Sequence, residues 1–130
     1  MFKVPKKTSV WKINQDSPVG TMKFAPELVK FIKEKKKFRT YRFADEKYGA
    51  MKVGDVVTVK ENFVEEPIGK ARITAKQEVL FRDIPYKTEN AHESCESKEH
   101  QRKVMSGYYA CLGRPISDDD PFIILDFELL

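Results

Sequence analysis

The chain has 130 residues, 41% hydrophobic and 34% charged; this suffices for one domain with its own core and excludes a disordered polyelectrolyte, which lacks so much aromatic and β-branched material. Twenty-four basic against twenty acidic side chains give a formal charge of +4, compatible with a polyanionic partner without requiring one. Cys95 and Cys111 form no CxxC pair, and no apolar run approaches the roughly 20 residues of a membrane span, so reduced thiols in a cytoplasmic, membrane-free protein are expected.

Residues 1–20 carry breakers at Pro5, Pro18 and Gly20 and read as an N-terminal extension, with Val10, Trp11 and Ile13 suited to a short strand or cap; residues 21–130 read as the domain. "MKF" predicts a short strand from Met22. "APELVKFIKEKKK" predicts a helix of about three turns, with Pro26 in its first turn. Leu28, Phe31 and Ile32 fall at i, i+3, i+4 and are expected to be its buried stripe, while Lys30, Lys33 and Glu34 face water. "FRTYRF" follows as a strand, because β-branched and aromatic residues replace the helix formers. Gly54-Asp55 marks a turn before the apolar run Val56 to Val59, and "PIGKARITAKQEVLF" predicts a further long strand. "EHQRKVMSGYYACL" reads as helical up to Gly107, and "DDDPFIILDFELL" as a closing strand entered through an acid-rich turn.

Short strands with Gly-marked turns tend to curl and remove their edges. The expected fold is therefore α+β: a small, mostly antiparallel β-barrel with two or three flanking helices. Charge is segregated along it. Between positions 30 and 42, Lys30, Lys33, Lys35, Lys36, Lys37, Arg39 and Arg42 oppose Glu34 alone, whereas residues 117–130 hold five acids and no Lys or Arg. Such segregation predicts a local basic face.

Strand alternation puts Phe38, Thr40 and Arg42 on one face, and Arg39, Tyr41 and Phe43 on the other. Arg42 suits a phosphate or base edge through its planar donors; equally, it can be a surface residue paired with Asp45 or Glu46. Tyr41, Tyr48, Tyr108 and Tyr109 can stack a base, although core packing is the expected use of the last two. The basic run itself can be a solvated helix end, with Lys37 favoured by the helix dipole. His92, Cys95, His100 and Cys111 lack the paired spacing of a zinc site. Asp118, Asp119 and Asp120 lack the spaced ligands of a calcium loop and are expected to form a solvated turn. No metal or other cofactor is expected.

Four segments in order resemble the ASCH (activating-signal-cointegrator homology) domain, a relative of the PUA fold. They are "FAPELVKFIKEKKKFRTYR", similar to an opening helix and GKKTxTxR-like segment; "YGAMKVGDVVTV"; "IGKARITAKQEVLFRDI"; and "HESCESKEHQRKVMSGYY" with "DDDPFIILDFELL". The likeness covers Met22 to Leu130. Lys35 stands where the family has a small residue, and Phe38 where it has its first Thr, so a longer helix and a narrowed or redirected pocket are expected.

The resemblance implies a PUA-like module that binds RNA or a nucleotide in a basic cleft lined by Lys36, Arg39, Tyr41 and Arg42. Some small members hydrolyse N4-acetylcytidine with a Lys, a Thr and a Glu, which here correspond to Lys37, Thr40 and Glu93, with Glu96 and Glu99 as alternatives for the last. A hydroxyl nucleophile needs a base, and a lysine whose pKa is lowered by neighbouring cations can serve; a carboxylate can carry the proton to the leaving amine. A third reading is a protein-interaction domain whose basic helix meets an acidic partner. A monomer is the favoured oligomeric state.

Overall fold

In the computed structural model, which describes residues 18–35, 38–87 and 94–130, three α-helices accompany a five-stranded sheet. In chain order the elements are β1 (Thr21–Phe24), α1 (Pro26–Lys33), β2 (Arg39–Phe43), α2 (Glu46–Ala50), β3 (Val56–Glu61), β4 (Gly69–Leu80), α3 (Lys98–Tyr108) and β5 (Pro121–Leu129). The sheet order is β1-β3-β4-β5-β2. β1 runs parallel to β3, and the remaining pairs are antiparallel. The α+β class and the antiparallel bias are as expected. The barrel is not: β1 and β2 are the edges of an open sheet. Between those edges the contact is a side chain instead of a ladder, the Arg42 guanidinium donating to the Lys23 carbonyl at 2.8 Å.

Curvature comes from β4, whose register against β5 slips between Ile73 and Ala75; an extra residue in one strand bends it and tightens the twist. The curled sheet buries apolar residues on both faces, and β5 shows this most clearly. Its Ile123, Leu125 and Phe127 join Met22, Phe24, Ile32, Val57, Val59 and Ile73 in one core. Phe122 and Ile124 join Tyr41, Phe81, Ile84 and Ile116 in a second. A strand covered on both sides reads as an unbroken apolar run, hence "FIIL".

Helix α1 is two turns long, shorter than expected. Its buried residues are Val29 and Ile32, with Leu28 and Phe31 half-buried. The lost small residue does not lengthen it: Lys35 takes a left-handed φ of 60°, and its N–H donates to the Ile32 carbonyl at 3.0 Å. That is the inner bond of a Schellman ending, made with a lysine where glycine is favoured. Helix α2 has no counterpart in the sequence reading; Asp45 caps it by accepting from the Tyr48 N–H at 2.9 Å. Ser97 caps α3 in the same way, accepting from His100 N–H at 3.1 Å.

The acid-rich turn is solvated at Asp118 and Asp119, as expected, but not at Asp120. Asp120 is buried and accepts two bonds of 2.8 Å from Arg114, while Asp119 meets Arg82 at 2.8 Å and Asp118 meets Arg102 at 2.5 Å. The paired guanidinium groups hold the Asp118 and Asp120 carboxyls below the usual carboxylate range. No group of three or more His, Cys, Asp or Glu suited to a metal occurs among the described residues, and no helix among them is long and apolar enough to cross a membrane. The proposed strand or cap at Val10, Trp11 and Ile13 lies outside the described residues.

Candidate functional site

Strand β2 carries the basic run into the sheet, and its alternation sorts that run. Thr40 pairs with Leu125 and Arg42 with Ile123, on the face of the first core. Arg39 pairs with Asp126 on the other face. There the Arg39 guanidinium is gripped at 2.6 and 3.0 Å by the Asp126 carboxylate, which raises the arginine's already high pKa. Arg39 is thus committed to the β2–β5 ladder and does not line the cavity beside it.

Arg42 is treated differently. Its Nε donates to Thr40 Oγ1 at 3.0 Å, one Nη to the Tyr48 hydroxyl at 3.0 Å, and the other to the Lys23 carbonyl. The cation lies 4.6 Å from the Phe24 ring centre and 5.3 Å from that of Tyr48. Neutral oxygens and aromatic faces fix its position, and no carboxylate pairs with it among the described residues. The pairing with Asp45 or Glu46 is not made. Beside it, the Lys47 ammonium is pushed below the ordinary lysine range, first by burial and then by the Arg42 charge.

Thr40, Tyr41 and Arg42 line a cavity of about 240 Å³ together with Lys23, Phe24 and Leu28, Asn62 at the end of β3, and Met105, Tyr108 and Tyr109 of α3 and its C-terminus. Thr40 is only 4% exposed; its oxygen accepts from Arg42, so its own hydrogen remains available to donate. The Asn62 carboxamide makes no side-chain hydrogen bond among the described residues. Tyr109 accepts from the Phe43 N–H at 2.9 Å, and burial pushes its phenol above the ordinary range, keeping it protonated. A neighbouring cavity of about 190 Å³ shares Leu28, Tyr41, Met105 and Tyr108 and continues past Cys95, His100 and Val104.

Of the tyrosines, Tyr41 is buried in the second core while touching both cavities, Tyr48 is occupied with Arg42, and Tyr109 packs edge-on against Phe122. Tyr108, expected in the core, is instead 54% exposed at the wall common to both cavities. Lys36, Lys37 and Glu93 lie outside the described residues, as does His92. Their described neighbours are informative: Phe38 extends the β2–β5 pairing, its carbonyl accepting from the Phe127 N–H at 2.8 Å, and Ser94 lines the second cavity. Glu96 and Glu99 line neither cavity, and Glu99 pairs with Arg102 at 3.3 Å. Sequence reading missed Asn62 and Lys23, which no local pattern marks, and read Leu28 only as part of the helix's apolar stripe; the fold gathers all three at the cavity.

No family model matches the sequence, and no curated protein does. Solved structures do. The ASCH domain from Lactobacillus crispatus aligns over 99% of this chain and 97% of its own, at 15% identity and a TM-score of 0.62. This chain has an ASCH-type fold. A protein from Enterococcus faecalis aligns over 98% of this chain and 90% of its own at 15% identity and a TM-score of 0.64. An ASCH protein from Zymomonas mobilis, solved as a Ser-to-Ala mutant, aligns over 83% and 66% at 15% identity and a TM-score of 0.54. At these identities the ASCH likeness is one of fold, and the chemistry rests on the cleft itself.

Proposed function

We propose that this ASCH-type chain binds RNA or a nucleotide in the cleft between β2, α1 and α3. The observation that carries this reading is Arg42: a cavity-lining cation, held in place by neutral groups and unpaired with any carboxylate among the described residues. A guanidinium fixed before the ligand arrives loses little freedom on binding, and its planar fork suits phosphate or a base edge. The cavity is smaller than a drug-sized site of about 300–1,000 Å³, which suits one base. Lys23 on β1, Lys30 and Lys33 on α1, and Lys35 just beyond that helix supply a basic approach for a polyanion.

The test is titration of a short single-stranded RNA at several salt concentrations, using the native protein and the Arg42→Lys variant. The expected result is salt-sensitive binding that the variant weakens although its charge is kept. Equal affinity in both would discard Arg42 as a contact.

A second reading is favoured by Thr40, whose hydroxyl is buried in the cavity wall with Arg42 Nε on its oxygen. In an amidohydrolase acting on N4-acetylcytidine, that oxygen would attack the acyl carbon while Lys37 takes its proton. The C–N bond then breaks, Glu93 delivers a proton to the leaving amine, and water releases acetate from the threonine ester. Arg42 would steady the developing alkoxide. Incubation with N4-acetylcytidine should release cytidine from the native protein and none from Thr40→Ala or Lys37→Ala; turnover retained in both variants removes this site.

A further inference from the structure

The turn between β3 and β4 carries a phenylalanine with no structural use for its ring. Phe63 is fully exposed, at 104% relative accessibility, and its φ is 68°, a region where a bulky side chain is an outlier. The Val64 N–H donates to the Glu61 carbonyl at 3.2 Å, making Phe63 the third residue of a four-residue turn. With a positive φ there, glycine or asparagine is the ordinary choice. Asn62 stands one place earlier, so the residue suited to the strained position lines the cavity, and an aromatic occupies the strained position at the tip. Single exposed apolar residues are common. One that is fully exposed and also held in glycine's conformation is costly on both counts, and such outliers point toward function.

We propose that Phe63 is a stacking platform for a second base, so that the ligand of the cleft is single-stranded RNA instead of a free nucleoside. This rests on the nucleotide-binding reading above. Asn62 presents an unpartnered carboxamide to the first base in the cavity, suited to a base edge with both donor and acceptor. Glu65 and Glu66, exposed just beyond the tip, repel phosphate and leave the flat, apolar face of a base as the group that meets the ring. Aromatic platforms of this kind serve single-strand binders without demanding a particular base.

The test compares native protein, Phe63→Gly and Phe63→Trp, each titrated with cytidine 5′-monophosphate and with pentacytidylate, and each melted thermally. Phe63→Gly should melt higher than native, because the left-handed turn is relieved, and bind the mononucleotide as native does. Its affinity for the pentamer should fall on the order of tenfold. Phe63→Trp should restore pentamer affinity, and the pentamer should quench the fluorescence of the new indole. A Phe63→Gly protein that melts higher yet binds the pentamer as native does overturns the stacking role while leaving the cleft intact. Native protein that binds neither ligand removes the cleft reading and this one together. Concentration-dependent self-association abolished in Phe63→Gly, with pentamer binding unchanged, would assign the ring to a protein contact and overturn the proposal.

Discussion

The acid-rich turn and the cleft hold arginine in opposite ways. At the turn, Arg82, Arg102 and Arg114 each meet a carboxylate from Asp119, Asp118 and Asp120. At the cleft, Arg42 is fixed by a hydroxyl, a phenol, a carbonyl and two rings. The first arrangement spends its charge within the protein and leaves little for a ligand; the second keeps its charge on offer at a cavity wall. Arg39 shows that the difference is one of position. It lies three residues from Arg42 on the same strand, yet faces the other way and is neutralised by Asp126.

The largest effect that would break this contrast is loss of the cleft cation. Arg42→Lys should weaken RNA binding on the order of 10- to 100-fold, because charge-assisted, forked hydrogen bonds are lost while the β1–β2 gap keeps a cation. Arg39→Lys should change affinity by less than about threefold, since its partner is internal. Fluorescence anisotropy with a labelled RNA measures both, and Arg42→Ala should also lower the log–log salt slope by about one.

The next effect belongs to the acid-rich turn. The Asp118 and Asp120 carboxyls have folded pKa values below their unfolded ones, so their contribution to stability is complete above the ordinary carboxylate range and is lost as pH falls through the depressed values. Thermal melts should therefore show a steep loss of stability below about pH 4. Asp120→Asn should lower the melting temperature at pH 7 and flatten that acid limb, with RNA affinity unchanged at neutral pH. A variant that loses RNA affinity without losing stability would show the turn to be part of the site.

The smallest effect is at the end of α1. Lys35→Gly removes a side chain from a left-handed position and should stabilise the fold by up to about 1 kcal/mol, as measured by urea denaturation. A loss of stability would mean that the Lys35 side chain contributes more than its conformation costs.

Every strand among the described residues was legible, because alternation in β2 and the apolar runs of β3 and β5 are local properties of the chain. Helix α3 was legible for the same reason, and Ser97 caps it close to where the helical pattern begins. Helix α2 was not: five residues are too few for an apolar period, and its only signal is Asp45 three residues before Tyr48. In α1 the buried face was read one position off: Val29 and Ile32, three residues apart, are buried together, while Leu28 and Phe31 at its flanks are half-buried. The open sheet was illegible because closure depends on what the edge strands meet, and β1 pairs with β3 across two intervening helices and a strand. The strand-face assignment of Thr40 and Arg42 followed from alternation, but the fate of each arginine did not. Arg39 and Arg42 carry the same charge in the same run, and what separates them is Asp126, 87 residues away. Asn62 and Tyr108 join the cavity only once the β3 end and α3 are brought beside β2.

The most direct measurement of this contrast is nitrogen-15 NMR of the arginine side chains during titration with pentacytidylate. If the cleft cation is the ligand contact, Arg42 Nε–H moves and broadens, the Asn62 carboxamide moves with it, and Arg39, Arg102 and Arg114 stay in place. Movement at Arg114 or Arg39 with Arg42 unchanged would contradict it, and would put the ligand on the face where the carboxylates are.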